Sequence, residues 1–368
     1  MKRIFISHVV PPKLIRRYNQ SQAGNNFAYN LIDGGCFDEV YSILPSNIYN
    51  HIDELNEEKV RFIVLRSLRK GKWLTTISVF IENVLLQLKL QKPANVWFYN
   101  ITLLNFLSFI IIRFLRRNFK AYVIVLDYTP GNTIISSQTF YLWLLNKADG
   151  VISLSDTESF RRKNTLCLAG VVPVIEITHP KIVKPSNVFL LSGVINERIA
   201  MISIILEVFS SLPNCSLYIT GYVADNSLLK KHASQFPNIH FCGNLSYNEY
   251  TELLHNTTFC LSTRNPDCVE NRYNFPSKII EHLWHNRIVI STMEYNQIAD
   301  LKYFLIPINL EEMRDAIGRI ISLDDEFLLQ YSNQGAKVQS MFSVNVWNAT
   351  FKMIEEACNG PIIHQTRL

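Results

Sequence analysis

A lysine and a glutamate three residues apart lie in the segment with the clearest chemical pattern. Residues 271–292 read NRYNFPSKIIEHLWHNRIVIST, a loop that leads through Pro276 and Ser277 into a helix and then a strand. Pro276 suits the first helical turn, and Ser277 suits the cap. The free N–H groups and positive end of such a helix favour a diphosphate beside Lys278. The Glu281 carboxylate, one turn further in, can accept hydrogen bonds from both hydroxyls of a ribose. The alternative is a surface helix with a solvated Glu281.

The elements around this segment follow a regular alternation of strand-like apolar runs and helix-length patterns. That alternation predicts βαβ units and parallel sheets, and 368 residues fit two domains. Residues 178–187, THPKIVKPSN, contain two prolines and two lysines without apolar periodicity, which is typical of a linker. We therefore expect a first domain over 1–184 and a second over 187–344. A last helix within about 345–368 is expected to pack back on the first domain.

The pattern assigns individual elements along the chain. Predicted strands of the first domain are 3–10, 38–44, 60–66, 95–99, 121–127, 150–154 and 171–177. Its predicted helices are 25–33, 73–90, 102–117, 137–147 and 156–163. In the second half, the predicted strands are 188–192, 215–220, 238–241, 258–262 and 287–291. The helices predicted there are 199–211, 226–235, 247–255, 276–285 and 345–358.

Several functional classes can be set aside from the sequence. Hydrophobic residues make up 48% and charged residues 18%, which excludes an intrinsically disordered chain. Neither Gly24 nor Gly34-Gly35 supplies the G-x-G-x-x-G of a dinucleotide enzyme. The opening MKRIFISHVVPPK reads as a buried strand and not a secretory signal, which argues against a periplasmic binding protein. Seven scattered cysteines, without C-x-x-C or a Cys/His cluster at zinc spacing, indicate reduced thiols and a cytosolic protein. A nucleotide-sugar enzyme remains.

The segment FPSKIIEHL resembles the F-P-S-K-x-x-E-x-L segment of retaining glycosyltransferases of the GT-B type. Their large family includes sucrose synthase-like, mannosyl- and bacterial polysaccharide-assembly transferases. Residues 188–221 and 238–263 also look like the family's C-domain units, and 147–162 look like the element before its linker. The resemblance is clear over about 120–295. It implies an α/β fold of two Rossmann-like, doubly wound domains that face each other across a crevice.

The resemblance assigns the nucleotide side of the site. Glu281 matches the second glutamate of the family's E-x7-E motif, which holds the ribose. Arg198, five residues after a glycine, matches a basic residue on the diphosphate, although the companion position is Val194. Arg198 and Lys278 would then stabilise the charge of the leaving diphosphate. The alternative for Arg198 is a surface arginine at a helix start. The other implied nucleotide-binding residues are Gly193, Gly221, Phe275, Pro276 and Ser277.

The donor-sugar position departs from the family pattern. The first glutamate of the motif falls on Tyr273, so a shifted loop would have to supply Glu270 or Asp267 in its place. Glu270 and Tyr273 are therefore the donor-sugar candidates. This gap leaves the sugar undetermined.

Three residues are candidates on the acceptor side. Asp127 stands where the family often has a histidine, at the end of a strand, and would orient the acceptor hydroxyl or the donor sugar. His8 ends the first strand, and Gly24, in the loop before the first helix, matches a glycine that permits close approach of ligands. The alternatives are a loop-capping aspartate, a structural histidine and an ordinary loop glycine.

The charge of the chain is divided unequally. Residues 1–185 carry 23 basic and 13 acidic side chains, a net +10, whereas 186–368 carry 13 and 18, a net −5. The apolar run 101–112 is too short to span a bilayer, and Arg113, Arg116, Arg117 and Lys120 follow it. Residues 61–73 mix basic and apolar side chains in the same way. This combination favours an anionic membrane surface, and no nucleic-acid-binding module is recognisable. The alternative for 101–112 is a buried core helix.

The sequence thus predicts a metal-independent retaining glycosyltransferase, cytoplasmic and peripheral at the inner face of the membrane. It would use a nucleotide-sugar donor, UDP favoured over GDP, and a glycan or lipid-linked acceptor, as in O-antigen or capsule assembly, with no further cofactor. No convincing D-x-D motif is present, and the acidic run 324–326 is interpreted as a helix cap. A nucleotide-sugar 2-epimerase of the same fold and an inactive scaffold protein remain as alternatives.

Overall fold

The computed structural model divides the chain into two compact units. Unit 1 comprises Met1–Val174 and Phe342–Leu368, and unit 2 comprises Ile175–Met341. The residues that the structure describes are 1–15, 22–45, 53–65, 72–128, 137–156, 164–173, 179–223 and 226–358. The sequence placed the boundaries at 184–187 and 344. Each unit contains a parallel sheet, so the prediction of two doubly wound α/β domains is confirmed.

Unit 1 is built on a seven-stranded sheet. Its strands are β1 Lys2–Ser7, β2 Glu39–Leu44, β3 Arg61–Val64, β4 Ala94–Tyr99, β5 Lys120–Val125, β6 Gly150–Ser153 and β7 Thr165–Cys167. All pairs are parallel, in the order β3-β2-β1-β4-β5-β6-β7. Every residue of β4 is buried, as expected for a central strand covered on both faces. The helices of the first part of this unit are α1 Gln22–Asp33, α2 Lys72–Lys89, α3 Phe106–Ile110 and α4 Ser137–Leu145.

Unit 2 repeats the plan with six strands. They are β8 Val188–Val194, β9 Ser216–Tyr222, β10 Ile239–Gly243, β11 Phe259–Ser262, β12 Ile288–Ser291 and β13 Phe304–Leu305. Their order is β10-β9-β8-β11-β12-β13, again all parallel. The helices are α5 Glu197–Ala200, α6 Ile202–Ser210, α7 Ser227–Gln235, α8 Tyr247–His255, α9 Val269–Tyr273, α10 Lys278–Trp284, α11 Leu310–Ile321, α12 Asp325–Leu329 and α13 Gly335–Phe342.

The last described helix, α14 Val344–Ala357, packs in unit 1. Trp347, Phe351 and Ile354 are buried in the same core cluster as Trp97 of β4. The Glu355 carboxylate accepts hydrogen bonds from Arg3 Nε and Trp97 Nε1, both at 2.9 Å. This helix therefore completes one face of the first sheet.

Three elements differ from the sequence prediction. The last strand of the first sheet is β7, whereas the described part of the predicted strand 171–177 contains only a bridge from Val172 to Ser343. The predicted helix 102–117 forms as α3 followed by a π-helical segment, Ile111–Leu115. The predicted helix 199–211 is broken at Met201, whose backbone is left-handed at φ 52° and ψ 48°. Residues 157–163, predicted to be helical, lie outside the described residues.

Candidate functional site

The carboxyl ends of β8 and β11 lie side by side where the strand order of the second sheet reverses. β8 pairs with β9 on one side and β11 on the other. In doubly wound sheets, ligands bind in the crevice outside this point. The chain leaves β11 at this edge and enters α9 and α10, whose first residue is Lys278. The segment FPSKIIEHL is thereby placed at the carboxyl edge of the unit 2 sheet.

Lys278 and Glu281 form an ion pair on the first turn of α10. Lys278 Nζ lies 2.9 Å from Glu281 Oε2 and 4.1 Å from the ring centroid of Tyr250. About a third of each side chain is exposed, 32% for Lys278 and 30% for Glu281. Ile279, Ile280 and Leu283 are buried and fix the helix to the sheet. The two charged groups are thus held in place while a ligand can still reach them.

A buried network that sequence reasoning missed supports this pair. His282 is fully buried, and its Nε2 lies 3.2 Å from the hydroxyl of Tyr250 and 3.3 Å from Ser192 Oγ. The Tyr250 hydroxyl also donates to Glu281 Oε2 at 3.4 Å. The sequence contained one indication that His282 is buried, since it lies three residues after Ile279 and therefore on the same, buried side of the helix. The network connects β8, α8 and α10 and orients the Glu281 carboxylate.

The electrostatics keep the pair ionised. Burial favours the neutral carboxyl, but the Lys278 ammonium outweighs it and lowers the pKa of Glu281. Burial likewise opposes the charge of Lys278, but Glu281 and Tyr250 raise its pKa above the usual value. Burial lowers the pKa of His282 to about 3 and raises the pKa of Tyr250. At pH 7 the edge therefore presents a carboxylate and an ammonium beside a neutral imidazole and a neutral phenol.

Two further residues singled out in the sequence are brought together. Arg198 on α5 makes a hydrogen-bonded ion pair with Glu270 on α9. The Cys268 thiol donates to the other Glu270 oxygen at 3.1 Å, and this bond, together with Arg198, lowers the pKa of Glu270. Arg198 is 67% exposed, so its remaining N–H groups face solvent. The expected diphosphate residue and the expected sugar residue are thus partners in the absence of ligand.

The residues that lead into α10 have mixed environments. Phe275 is buried, its ring 5.3 Å from that of Tyr295, and Pro276 is also buried. Tyr273 is the last residue of α9 and is partly exposed. The expected cap at Ser277 is wrong, because its backbone is already helical, at φ −51° and ψ −22°, and its side chain makes no capping bond.

Gly193 and Gly221 are register partners at the ends of β8 and β9. Both have φ in the region that favours glycine, 125° for Gly193 and 133° for Gly221. A Cβ on Gly221 would lie 2.0 Å from the Gly193 oxygen, so Gly221 is required for the close approach of the two strands. A Cβ on Gly193 would meet nothing within 4 Å. The backbone of Gly193 therefore borders open space at the site edge.

The acceptor-side candidates gather at the matching edge of the unit 1 sheet. His8 follows β1 and Asp127 follows β5. The His8 ring lies 4.9 Å from the Tyr99 ring at the end of β4, and burial lowers the pKa of His8 to about 4. Asp127 is exposed. Burial of Tyr99 raises the pKa of its phenol, and the negative charge of Asp127 raises it further. Gly24 was expected in a loop but is the third residue of α1, where its carbonyl accepts the Tyr99 hydroxyl at 2.6 Å.

The acidic run in unit 2 behaves as interpreted. Asp324 is the N-cap of α12 and accepts the Phe327 amide at 2.7 Å, so that prediction is confirmed.

No protein-family model and no curated protein matches this sequence. Solved structures do match over nearly the whole chain. HepE from Anabaena, solved with UDP and glucose, has a TM-score of 0.67 at 14% identity, covering 97% of this chain and 100% of that one. The lipopolysaccharide outer core galactosyltransferase WaaB has 0.61 at 13%, covering 97% and 99%. A UDP-GlcNAc 2-epimerase from Neisseria meningitidis has 0.60 at 12%, covering 98% and 100%.

The fold class follows from these similarities. Glycosyltransferases and an epimerase share the arrangement of two parallel-sheet units, which is the GT-B fold. The predicted GT-B fold is therefore confirmed.

Proposed function

We propose that this chain is a retaining glycosyltransferase that transfers a sugar from a nucleoside diphosphate sugar. The observation that carries the proposal is the Lys278–Glu281 pair, half-buried at the reversal point of the second sheet. A nucleoside diphosphate has an anionic diphosphate and a ribose with two neighbouring hydroxyls. The Lys278 ammonium can bind the diphosphate, and the Glu281 carboxylate can accept hydrogen bonds from the two hydroxyls. HepE, which has the same fold, was solved with UDP and with UDP-glucose, which favours a UDP-sugar. Retention rests on the resemblance of FPSKIIEHL to the retaining family.

The transfer breaks the bond between the anomeric carbon and the β-phosphate oxygen. The electron pair stays on that oxygen, so negative charge grows on the diphosphate as the bond lengthens. Lys278, with Arg198 released from Glu270, stabilises this charge, while Glu281 holds the ribose. The acceptor hydroxyl forms the new bond on the face that the leaving group vacates and gives its proton to the departing β-phosphate oxygen. Asp127, exposed at the end of β5, is the candidate group that orients the acceptor.

Donor turnover is the direct test. We expect the protein to hydrolyse one nucleoside diphosphate sugar slowly without an acceptor, and faster with a suitable glycan acceptor, as measured by release of the diphosphate. In an assay well below the melting temperature of the protein, turnover should persist in EDTA, because side-chain cations stabilise the leaving group. Loss of turnover in EDTA, restored by magnesium, would contradict the cationic clamp.

The same reactions separate the alternative functions. The 2-epimerase among the structural neighbours keeps that possibility open, and it would convert UDP-GlcNAc to its C2 isomer without releasing UDP. An inactive scaffold would leave every donor intact and would show no thermal shift with any nucleoside diphosphate. Product analysis by nuclear magnetic resonance distinguishes isomerisation from transfer and also reports whether the anomeric configuration is retained.

A membrane-borne acceptor is supported by an apolar surface on unit 1. Helix α2 exposes an apolar stripe at helical spacing, composed of Ile77, Phe80, Ile81, Leu85 and Leu88. The following elements add more exposed apolar side chains, namely Leu103, Phe114, Leu115, Phe140 and Trp143. By contrast, Phe109 and Ile112 of the run 101–112 are core residues. Exposed apolar area on this scale marks an interaction site. Within the described residues, no helix is both long and apolar enough to cross a bilayer.

Basic side chains lie beside this apolar surface. Lys89, Lys92, Arg117 and Lys147 are exposed on the same elements and their connecting turns. Arg116 instead donates to the carbonyls of Gln87 and Leu90 and packs on Phe119, so it holds the end of α2. Arg66, Arg69 and Lys70, also expected to contribute, lie outside the described residues. We therefore propose that unit 1 docks on anionic lipid at the inner face of a membrane, with a lipid-linked glycan as the acceptor, as in O-antigen or capsule assembly.

Vesicle sedimentation tests the docking surface. We expect binding to phosphatidylcholine vesicles only when they contain phosphatidylglycerol, and weaker binding as salt shortens the Debye length from about 10 Å at 0.1 M to about 3 Å at 1 M. Replacing Lys89, Arg117 and Lys147 by glutamine should reduce partitioning about 100-fold, at about 1 kcal/mol for each charge.

A matched control neutralises the exposed Lys230, Lys231 and Arg319 of unit 2 and should leave sedimentation unchanged. Equal binding to vesicles of both compositions would indicate hydrophobic insertion alone. Binding to neither would point to an acceptor in solution.

A further inference from the structure

Three histidines far apart in the sequence converge in unit 2, away from the donor edge. They are His179 near the start of the unit, His255 at the end of α8, and His285 directly after α10. One ring nitrogen from each lies within 4.8 Å of the corresponding nitrogens of the other two. His255 Nε2 and His285 Nδ1 are 3.0 Å apart, and the His179 and His285 ring centroids are 3.7 Å apart. No short sequence motif connects them, so their convergence is visible only in the fold.

The ring of His179 lacks the partners that a buried polar group needs. It is 93% buried, yet within the part of the chain that the structure describes neither Nδ1 nor Nε2 has a hydrogen-bond partner. Buried polar atoms almost always have a hydrogen-bond partner or a bound ion, so a ligand is expected at the His179 nitrogens. The His179 ring makes a T-shaped contact with Trp284 and lies over the His285 ring. The polar groups near its nitrogens are therefore those of the other two histidines.

The backbone that carries the three histidines is fixed by a buried arginine. Arg287 donates to the carbonyls of His255, Thr257 and His285 at 2.9–3.0 Å and also to that of Pro180, the residue after His179. Asn286 Nδ2 donates to the His179 carbonyl at 3.0 Å. The arginine adds a positive charge nearby, which disfavours a dication.

We infer that His179, His255 and His285 form a binding site for one divalent transition-metal ion, with Zn²⁺ the best match. Three imidazole nitrogens are a common zinc ligand set, with Zn–N distances of about 2.0–2.1 Å. Tetrahedral geometry places the nitrogens about 3.3 Å apart. Because imidazole lone pairs lie in the ring plane, ion binding requires the His179 and His285 rings, whose centroids are 3.7 Å apart, to rotate out of their stack. His255 is the partly exposed member and provides the entry path. Three protein ligands leave the fourth position of a tetrahedral zinc ion to a water.

The site lies apart from the residues of the proposed donor chemistry. α10 runs from Lys278 at the donor edge to Trp284, and His285 follows it at the opposite end. A metal here would join the start of unit 2 to α8 and α10. Its removal should therefore lower the melting temperature and leave turnover at low temperature unchanged, so the inference can fail while the proposed function stands.

Metal titration of the full chain tests the inference. After treatment with a chelator, isothermal titration with Zn²⁺ should give one site per chain, and the metal should raise the melting temperature by about 5 °C at saturation. Co²⁺ should produce the visible absorption of a low-symmetry nitrogen site. His255→Gln and His179→Gln should each weaken Zn²⁺ binding at least tenfold, whereas His232→Gln, on α7 and outside the cluster, should not.

Circular dichroism of each metal-free variant serves as the folding check. If His179→Gln does not fold, His255→Gln decides, since that ring is partly exposed and its loss perturbs the core least. Absence of stoichiometric Zn²⁺ binding by the wild-type chain overturns the inference. So does tight binding that is unaffected by His255→Gln.

Discussion

Replacing Lys278 by methionine is expected to lower turnover of the donor about 100- to 1,000-fold, the range found when one group that stabilises transition-state charge is removed. Methionine keeps an unbranched apolar stem against Tyr250 but removes the ammonium next to Glu281. Because charge on the diphosphate grows in the transition state, kcat should fall more than the affinity for the donor. The measurement is steady-state release of the nucleoside diphosphate from the donor.

Two further variants separate charge from packing at this position. Lys278→Arg keeps the positive charge and should retain more activity than Lys278→Met. Lys230→Met removes an exposed lysine of α7 and should leave kcat unchanged. A kcat for Lys278→Met close to that of the wild type, in a protein with a normal circular dichroism spectrum, would show that Lys278 does not act on the leaving group.

Glu281→Ala is expected to weaken the binding of UDP by about 100-fold or more. The carboxylate would lose two hydrogen bonds to the ribose, and bonds to a charged group contribute about 1.5–3 kcal/mol each. Because Lys278 lowers the pKa of Glu281, the carboxylate is ionised at pH 7 and accepts from both hydroxyls. Isothermal titration with UDP measures the loss.

A deoxyribose probe makes this test specific. The wild type should bind UDP more tightly than 2′-deoxy-UDP, and Glu281→Ala should bind the two equally, since the group that distinguishes them is gone. Glu207→Ala, an exposed glutamate on α6, is the matched control and should keep the preference. If Glu281→Ala still prefers UDP, the carboxylate does not contact the ribose.

Periodicity predicted the central strands because these strands are buried on both faces. β4 and β12 are short, largely apolar segments, and all of their residues are buried. No element was predicted between residues 296 and 343. β13 has only two residues, and three helices, α11, α12 and α13, follow it before the predicted last helix. One of them, α11, buries only Met313, Ala316, Ile317 and Ile320.

Local sequence could not reveal the breaks in two helices. Met201 adopts left-handed backbone, a conformation that side chains other than glycine and asparagine rarely take, so nothing in its type indicates it. The helix predicted at 102–117 contains a π-helical turn at Ile111–Leu115, beside the core residues Phe109 and Ile112. In both cases the apolar pattern predicts a continuous helix and does not indicate the break.

The candidate site was only partly accessible to sequence reasoning. Lys278 and Glu281 are three residues apart, so helical geometry alone predicts that they meet. The supporting network comes from other elements, since Tyr250, which donates to Glu281, lies on α8, and Ser192, the partner of His282, lies on β8. The ion pair between Arg198 and Glu270 joins residues 72 positions apart. Contacts of this kind depend on topology, which an apolar pattern does not specify.

The return of α14 to the first sheet has a consequence for synthesis of the chain on the ribosome. Unit 2 is contiguous, whereas unit 1 is interrupted by it and is completed only by residues from Phe342 onward. During vectorial synthesis, the face of the first sheet that receives Trp347, Phe351 and Ile354 stays uncovered until the last residues of α14 emerge. Unit 1 therefore begins to emerge from the ribosome before unit 2 but is completed after it.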